Sequence, residues 1–305
     1  MTLTELKYIV TLAQERHFGR AADKCYVSQP TLSVAIKKLE SELDVVIFER
    51  SKSSVTVTPL GEQIVAQAQR VLEEARAIKD IASFGKDQLA SPLRIGAIFT
   101  IGPYLFPHLV PQIHQQAARM PLYLEENYTG VLRRQLREGE LDAIIVALPF
   151  TEPDVLTRPL YDENFVAVLP KNHPWNEQAQ IEPQQLAEEE VLMLGEGHCF
   201  RDQIFAFCPD LAQKHHTRLG SVLEGSSLET LKHMVATGLG ITVLPESAVS
   251  NLDLNLVSTR PFVTPIPYRT VALAWRASFP RTQAVDLLLS TARQCRLPSM
   301  AKGQV

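Results

Sequence analysis

Cys199 lies in Gly195-Glu-Gly-His-Cys-Phe-Arg-Asp202, directly after the apolar run Val191-Leu-Met-Leu194, and Cys208 follows nine positions later in Phe205-Ala-Phe-Cys208. A run of that kind reads as a buried strand, and loops at the carboxyl ends of such strands line the ligand crevice of open α/β sheets. His198 on one side, Arg201 close by and a helix beginning near residue 200 would each favour a thiolate at Cys199. A low-pKa, accessible thiol is what peroxide chemistry requires. Cys208, between Phe207 and Pro209 after Ile204 and Phe205, has the setting of a small buried apolar residue. If residues 200 to 208 are helical, the two Cα atoms stand about 13 Å apart at about 1.5 Å per residue, whereas a disulfide needs roughly 4.4 to 6.8 Å. A bond between the two thiols would therefore require the segment to unfold and would shift any subunit surface it touches. Spacing alone leaves two readings open, a redox pair or two unrelated packing residues.

Other reactive side chains form weaker patterns. Thr100 in Phe99-Thr-Ile-Gly-Pro103 and Thr129 in Tyr128-Thr-Gly130 follow apolar runs and, on their own, read as helix N-caps. His173 and the adjacent His215-His216 have no cysteine or carboxylate at metal-ligand spacing, so they read as surface or structural residues and no metal is expected. Gly238-Leu-Gly240 before Ile241-Thr-Val243 lacks the spacing and the strand-to-helix order of a dinucleotide site and reads as a helix-to-strand turn. Cys25 is assigned to a small helical core and Cys295 to a contact of a C-terminal amphipathic helix. With no Ser/His/Asp constellation and no nucleophile elbow, the chain is read as a non-enzyme that needs no cofactor.

The elements that must carry these residues follow from length and pattern. A chain of 305 residues that is 45% apolar is roughly two domains' worth and needs no staple of disulfides. Its 30 basic against 34 acidic residues leave a net charge of -4, so any nucleic-acid surface must be local. The start of the chain lacks a basic, then apolar, leader, and the longest apolar stretch, Ala143 to Phe150, is far short of the about 20 residues of a membrane span. A cytoplasmic protein is expected, with its four cysteines as thiols by default. Residues 1–58 read as a helical head, 59–91 as a linker helix and hinge, and 92–305 as a two-lobed α/β body. Within the body Leu93 to Thr100, Leu122 to Tyr128, Asp142 to Leu148, Phe165 to Leu169, Val191 to Leu194, Ile241 to Leu244 and Thr270 to Trp275 read as strands of a mostly parallel sheet.

In the head, Thr2 and Glu5 have capping-box spacing ahead of the stripe Leu6, Ile9, Val10 and Ala13. A short helix with Phe18, Ala21, Ala22 and Cys25 inside follows, then Ser28 as N-cap of a third helix buried through Leu32, Ala35, Ile36, Leu39 and Leu43. The opposite face of that helix offers Gln29, Pro30, Thr31, Ser33 and Lys37, short polar groups able to reach base edges while the N-terminal N–H groups face phosphate. Arg20, Lys24, Lys37 and Lys38 against Asp23 give a local charge of about +3. Arg50 precedes a Ser/Lys-rich turn and Val55-Thr-Val57, the pattern of a wing beside the recognition helix. From Thr58 and Pro59 onward, Ile64, Ala68, Val71, Ala75, Ile78 and Ala82 recur at coiled-coil spacing, which predicts a homodimer through the linker helix.

Phe18-Gly-Arg-Ala-Ala22, Val27-Ser-Gln-Pro-Thr-Leu-Ser33, Ile36-Lys-Lys-Leu-Glu40, Phe48-Glu-Arg50 and Thr58-Pro-Leu-Gly61 closely resemble the winged helix-turn-helix of LysR-type transcriptional regulators. Gly197-His-Cys-Phe-Arg-Asp-Gln203 with Phe207-Cys208 resembles the peroxide-sensing OxyR group of that family. The resemblance implies a regulatory body of the periplasmic-binding-protein type, with Cys199 as peroxidatic residue and Cys208 as its disulfide partner. It also implies a peroxide pocket of Thr100, Thr129, His198, Asp202 and Arg269. Double-stranded operator DNA, hydrogen peroxide, a homotetramer and RNA polymerase are the partners it implies, with activation of antioxidant genes as the outcome. A LysR-type regulator of a noncovalent organic effector, and a thiol peroxidase, are the competing expectations.

Overall fold

Start and stop signals at the amino end fold as their residue types dictate. A computed structural model describes the chain except for residues 51–54, 85–87, 218–223, 251–254, 296 and 298–305, and except for the side chains of 50, 77, 79–84 and 215–217. The turn expected at the wing tip, Gly85 of the expected hinge, and the side chains of Arg50, Ala82, His215 and His216 therefore lie outside the described residues. Two units emerge, Met1–Gly85 and Lys86–Val305.

The first unit contains α1 (Leu3–Glu15), α2 (Phe18–Cys25), α3 (Gln29–Leu43), the antiparallel pair β1 (Phe48–Arg50) and β2 (Val55–Val57), and α4 (Pro59–Phe84). Thr2 and Glu5 form the reciprocal capping box, and Ser28 Oγ accepts from the Thr31 N–H with Pro30 in the first turn. Leu6, Ile9, Leu12, Ala21, Leu32, Ile36 and Leu39 close one core. The Glu40 carboxylate accepts from the Ile47 and Phe48 N–H groups at 2.9 and 3.0 Å, which ties α3 to the entry of the wing. Thr58 Oγ1 donates to the Val46 carbonyl at 2.8 Å and accepts from the Gly61 N–H at 2.9 Å, opening α4 as expected.

The expected seam of α4 divides. Ala68 is buried and Ile64 packs on the head's own core, whereas Val71 is 36% and Ile78 68% exposed. The first half of the spacing is consumed by packing against α1, because an apolar stripe serves whichever surface reaches it first. Only the second half remains available to another helix.

The second unit runs β3 (Leu93–Ile98), α5 (Gly102–Gln116), β4 (Leu122–Asn127), α6 (Thr129–Arg137), β5 (Ala143–Ala147), β6 (Val155–Pro170), β7 (Met193–Leu194), α7 (Cys199–Phe207), α8 (Pro209–Thr217), β8 (Glu224–Gly225), α9 (Leu228–Ala236), β9 (Thr242–Pro245), β10 (Val257–Pro261), β11 (Tyr268–Arg276) and α10 (Thr282–Gln294). Among the described residues a seven-stranded sheet has the order β10-β6-β11-β5-β3-β4, with β9 also on β6. The expectation of a mostly parallel sheet is wrong. β3 is parallel to β4 and β5, but β11–β5, β11–β6, β10–β6 and β9–β6 are antiparallel. Helix-like stretches between strands signal crossovers but not the direction in which a long strand returns from one lobe to the other.

Two cores flank that return. One gathers Ile95, Leu105, Ile144, Tyr161, Leu273 and Leu288, and the other Phe165, Leu192, Ile204, Val243 and Phe262. β6 passes from the first core at Tyr161 into the second at Phe165, with β11 beside it, so a two-lobed body is built on one shared pair of strands. No helix among the described residues is long and apolar enough to cross a membrane.

Gly61 tests the head. A Cβ there would collide with the Ile47 carbonyl oxygen, which the wing holds in place. Gly61→Ala is expected to cost about 1–3 kcal/mol of head stability, read as an earlier urea midpoint of its helical signal.

Candidate functional site

Cys199 is the first residue of α7, with His198 as N-cap, so its sulfur sits at the positive end of a helix as the sequence predicts. The thiol is half-buried and packs against the core of the first lobe although α7 belongs to the second. It faces a cavity of about 10 Å³, counted over the positions that a water centre can occupy. Three segments wall it: Ile98, Phe99 and Thr100 at the end of β3; Asn127, Tyr128 and Thr129 where β4 turns into α6; and Gly197, His198 and Cys199. Both strand ends are carboxyl ends of parallel strands, where the chain direction changes and backbone groups open toward a crevice.

Aromatic packing closes this site. The Tyr128 ring lies 4.8 Å from His198 and 5.2 Å from Phe99, centroid to centroid. Gly197 has φ of +90°, and a Cβ there would stand 3.2 Å from the Tyr128 ring. Glycine supplies both the backbone conformation and the room. Burial pushes the His198 imidazole below its usual titration range.

Thr100 and Thr129 are not the N-caps that they resemble locally. Ile101 and Tyr128 occupy those positions, neither with a side-chain cap bond. Thr100 Oγ1 instead accepts from Arg269 Nη1 at 2.8 Å, and Thr129 Oγ1 is buried with no hydrogen-bond partner among the described residues. An orphaned buried hydroxyl costs stability unless something small fills the place of its partner.

Four expectations for the charged and titratable residues change. Arg269 does not line the cavity. It stands behind Thr100, donating from Nη2 to the Thr100 carbonyl at 2.7 Å and from Nε to Glu163 at 2.8 Å, and its charge is matched by that buried carboxylate. Arg201 pairs with Glu224 at 2.9 Å and lies over the Phe205 ring. His198 favours its neutral form, and the N-terminus of α7 turns its partial positive charge toward the sulfur. Asp202, expected in the pocket, is exposed on the first turn of α7 and does not line it. Sequence proximity to Cys199 cannot tell which side of a helix faces the crevice.

Cys208 follows α7 directly, buried in the second core, and its S–H donates to the Pro183 carbonyl at 3.1 Å. Burial pushes this thiol up from its ordinary pKa. All four cysteines are free thiols, and an intact α7 keeps Cys199 and Cys208 beyond disulfide reach.

In the head, Gln29, Pro30, Thr31 and Lys37 are exposed on α3, Ser33 is half-buried, and Arg50 ends β1. Thr31 shares a hydroxyl hydrogen bond with the cap Ser28 at 2.7 Å, which fixes its rotor at the helix start. The cationic surplus is tempered: Lys24 and Arg20 pair with Glu15 at 2.6 and 3.4 Å, and Lys38 with Glu5 at 3.5 Å. Pattern reading missed Tyr26, in the left-handed conformation just before α3 and 92% exposed, and Val34, also exposed on that helix. A large exposed aromatic between two helices of a DNA-reading pattern was the available signal.

Residues 3–62 match the bacterial regulatory helix-turn-helix protein of the lysR family, and residues 86–295 match the LysR substrate binding domain. The chain belongs to the LysR family of DNA-binding transcriptional regulators. Within it, the chain is 40% identical over 294 residues to the DNA-binding transcriptional dual regulator OxyR of Escherichia coli K12, covering 96% of this chain and 95% of that protein. A full-length cysteine-to-aspartate variant of OxyR from Pseudomonas aeruginosa superposes with a TM-score of 0.74 at 57% identity, covering 100% of this chain and 99% of that one. A cysteine variant of OxyR from Corynebacterium glutamicum with hydrogen peroxide bound gives 0.66 at 31% identity, over 98% and 94% of the two chains.

The site makes opposite stability predictions for its two layers. Thr129→Val removes an unpartnered hydroxyl at constant shape and is expected to leave urea stability unchanged or raise it by about 1 kcal/mol. Arg269→Ala strands the Glu163 carboxylate and is expected to cost about 3–5 kcal/mol. Because the folded state disfavours imidazolium at His198, the unfolded chain takes up that proton first. Stability from this residue is therefore present above the ordinary histidine pKa of about 6.5 and is lost as pH falls through it; an NMR titration should place His198 below that value.

Proposed function

We propose that this chain is a cytoplasmic hydrogen-peroxide-sensing transcription activator, switched by a Cys199–Cys208 disulfide. The observation that carries the reading is the half-buried Cys199 thiol at a helix N-terminus, facing a cavity of water size that holds an orphaned Thr129 hydroxyl. The Cys199 thiolate attacks one oxygen of the peroxide, the O–O bond breaks, and the other oxygen leaves as hydroxide and takes up a proton to become water. Sulfur is left as sulfenic acid. The Cys208 thiol then displaces the sulfenic oxygen as a second water and forms the disulfide, which α7 can accommodate only by unwinding. The cavity in front of Cys199 has room for a molecule of about water size, which at this position suits peroxide better than an organic effector. Thr100 and Thr129 act as peroxide-facing hydroxyls, with Arg269 one layer back.

The head then reads operator DNA through Gln29, Pro30, Thr31, Ser33 and Lys37 of α3, with Arg50 in the wing. Val71 and Ile78 of α4 supply a dimer seam, and the resemblance to known regulators supports a tetramer and contact with RNA polymerase.

Mass analysis after about one equivalent of peroxide tests the switch. The natural chain should lose two hydrogens, with Cys199 and Cys208 joined in one crosslinked peptide pair. Cys208→Ser should gain one oxygen at Cys199, and Cys199→Ser should do neither. Fast peroxide consumption by Cys199→Ser would sink the role split. Replacing Thr31 by a bulky side chain should abolish footprints on operator DNA while leaving oxidation intact; retained footprints would remove α3 from the interface.

A further inference from the structure

We infer that Glu163 is a positioning residue for peroxide reduction, which through Arg269 holds the Thr100 hydroxyl as a committed hydrogen-bond donor to the oxygen leaving Cys199; this rests on the peroxide-sensing reading above. Glu163 and Arg269 stand directly opposite one another in the β6–β11 ladder, where the strands pass between the lobes. Arg269 Nε donates to Glu163 Oε2 at 2.8 Å, and both side chains are buried. Glu163 Oε1 accepts from the Ser247 N–H at 3.2 Å, so the carboxylate is anchored on the second lobe. The far end of the guanidinium grips a single residue of the first lobe, donating from Nη1 to Thr100 Oγ1 and from Nη2 to the Thr100 carbonyl at 2.8 and 2.7 Å.

That grip decides the polarity of a hydroxyl. Threonine has one O–H proton and two lone pairs, whereas a guanidinium can only donate. Arg269 therefore occupies a lone pair and leaves the Thr100 proton to be donated elsewhere. Among the described residues no protein acceptor takes it, and Thr100 lines the cavity in front of Cys199. Thr129, with no partner, can turn either way. The two hydroxyls thus divide the work: Thr129 adapts to the bound peroxide, and Thr100 is held as a donor.

During attack, the S–O bond forms as the O–O bond breaks, and the electron pair passes to the departing oxygen. A donor fixed at that oxygen strengthens as negative charge grows there, which is where stabilisation accelerates a reaction. Losing Glu163 frees one end of the guanidinium and with it the Thr100 rotor. A merely structural counter-ion would instead change access to the thiol or its ionisation.

Two reactions of Cys199 in the full-length reduced protein separate these roles: oxidation by hydrogen peroxide, which needs help at a leaving oxygen, and alkylation by iodoacetamide, which does not pass through this donor. Both rates are measured across pH and expressed per thiolate. Glu163→Gln should slow oxidation by roughly tenfold while leaving alkylation within about twofold. Glu163→Asp keeps the buried charge but shortens its reach, so it protects against a failure to fold and should show a smaller loss of the same kind. In a Thr100→Val background, neither change should slow oxidation further, since coupled residues share one loss. Equal slowing of both reactions, an unchanged oxidation rate, or losses that add to that of Thr100→Val would overturn the positioning role. A natural chain whose Cys199 does not react with peroxide would overturn the functional reading itself, and the positioning role with it.

Discussion

The antiparallel pairing of β6 with β11 is the constraint on which the regulatory unit depends. Sixteen residues of β6, at about 3.3 Å each, are long enough to contribute to two hydrophobic cores in succession. The strand is continuous through both lobes, and its ladder with β11 shifts register between Val271 and Ala272. Thr100 and Thr129 from one lobe meet Cys199 from the other at one cavity. The buried Glu163–Arg269 pair sits in this ladder, where a lone charge would be strongly destabilising.

Beside this seam, α7 is a weak element because of its length. Nine residues do not make a stable helix alone, so its persistence comes from Phe200 and Ile204 in the second core and from the edge-to-face contact of Phe200 with Phe165 at 5.1 Å. Arg269 also lies over the Phe200 ring at 5.4 Å, which connects the sensor helix with the layer behind the cavity. In the proposed switch, oxidation at Cys199 would supply a covalent driving force to one end of this helix, with the Cys208 thiol buried at the other, where burial favours its protonated form. Release of Cys208 would give up its contact with Pro183 and its packing beside Leu211, so a change of one sulfur reaches the residues of α8.

In the head, the short polar face of α3 is the proposed recognition surface, while Glu15 and Glu5 draw in three of the cations that a sum over nearby residues would count as a phosphate-attracting surplus. This weakens the indiscriminate part of DNA attraction more than base contacts. On the proposed reading, specificity would fall on the exposed start of α3, where the Ser28–Thr31 hydroxyl bond sets side-chain direction.

Local signals determined much of this protein. The capping box at Thr2, Ser28 and Pro30 at the start of α3, Thr58 and Pro59 at the start of α4, and a helix opening at Cys199 were all legible, because caps and helix starts depend on residues within one turn of each other. So was the convergence of Thr100, Thr129 and His198 with Cys199, although only through resemblance to a known family. Tertiary structure alone decided the rest. The sheet's largely antiparallel pairing, the split of the α4 stripe, the neutral environment of His198, the capture of Arg201 by Glu224 and the place of Arg269 behind Thr100 each depend on partners far away in the chain. Glu163, a charged residue with no motif around it, shows the limit most clearly: its role exists only because β11 brings Arg269 opposite it, 106 positions later, in a setting without water to screen the pair.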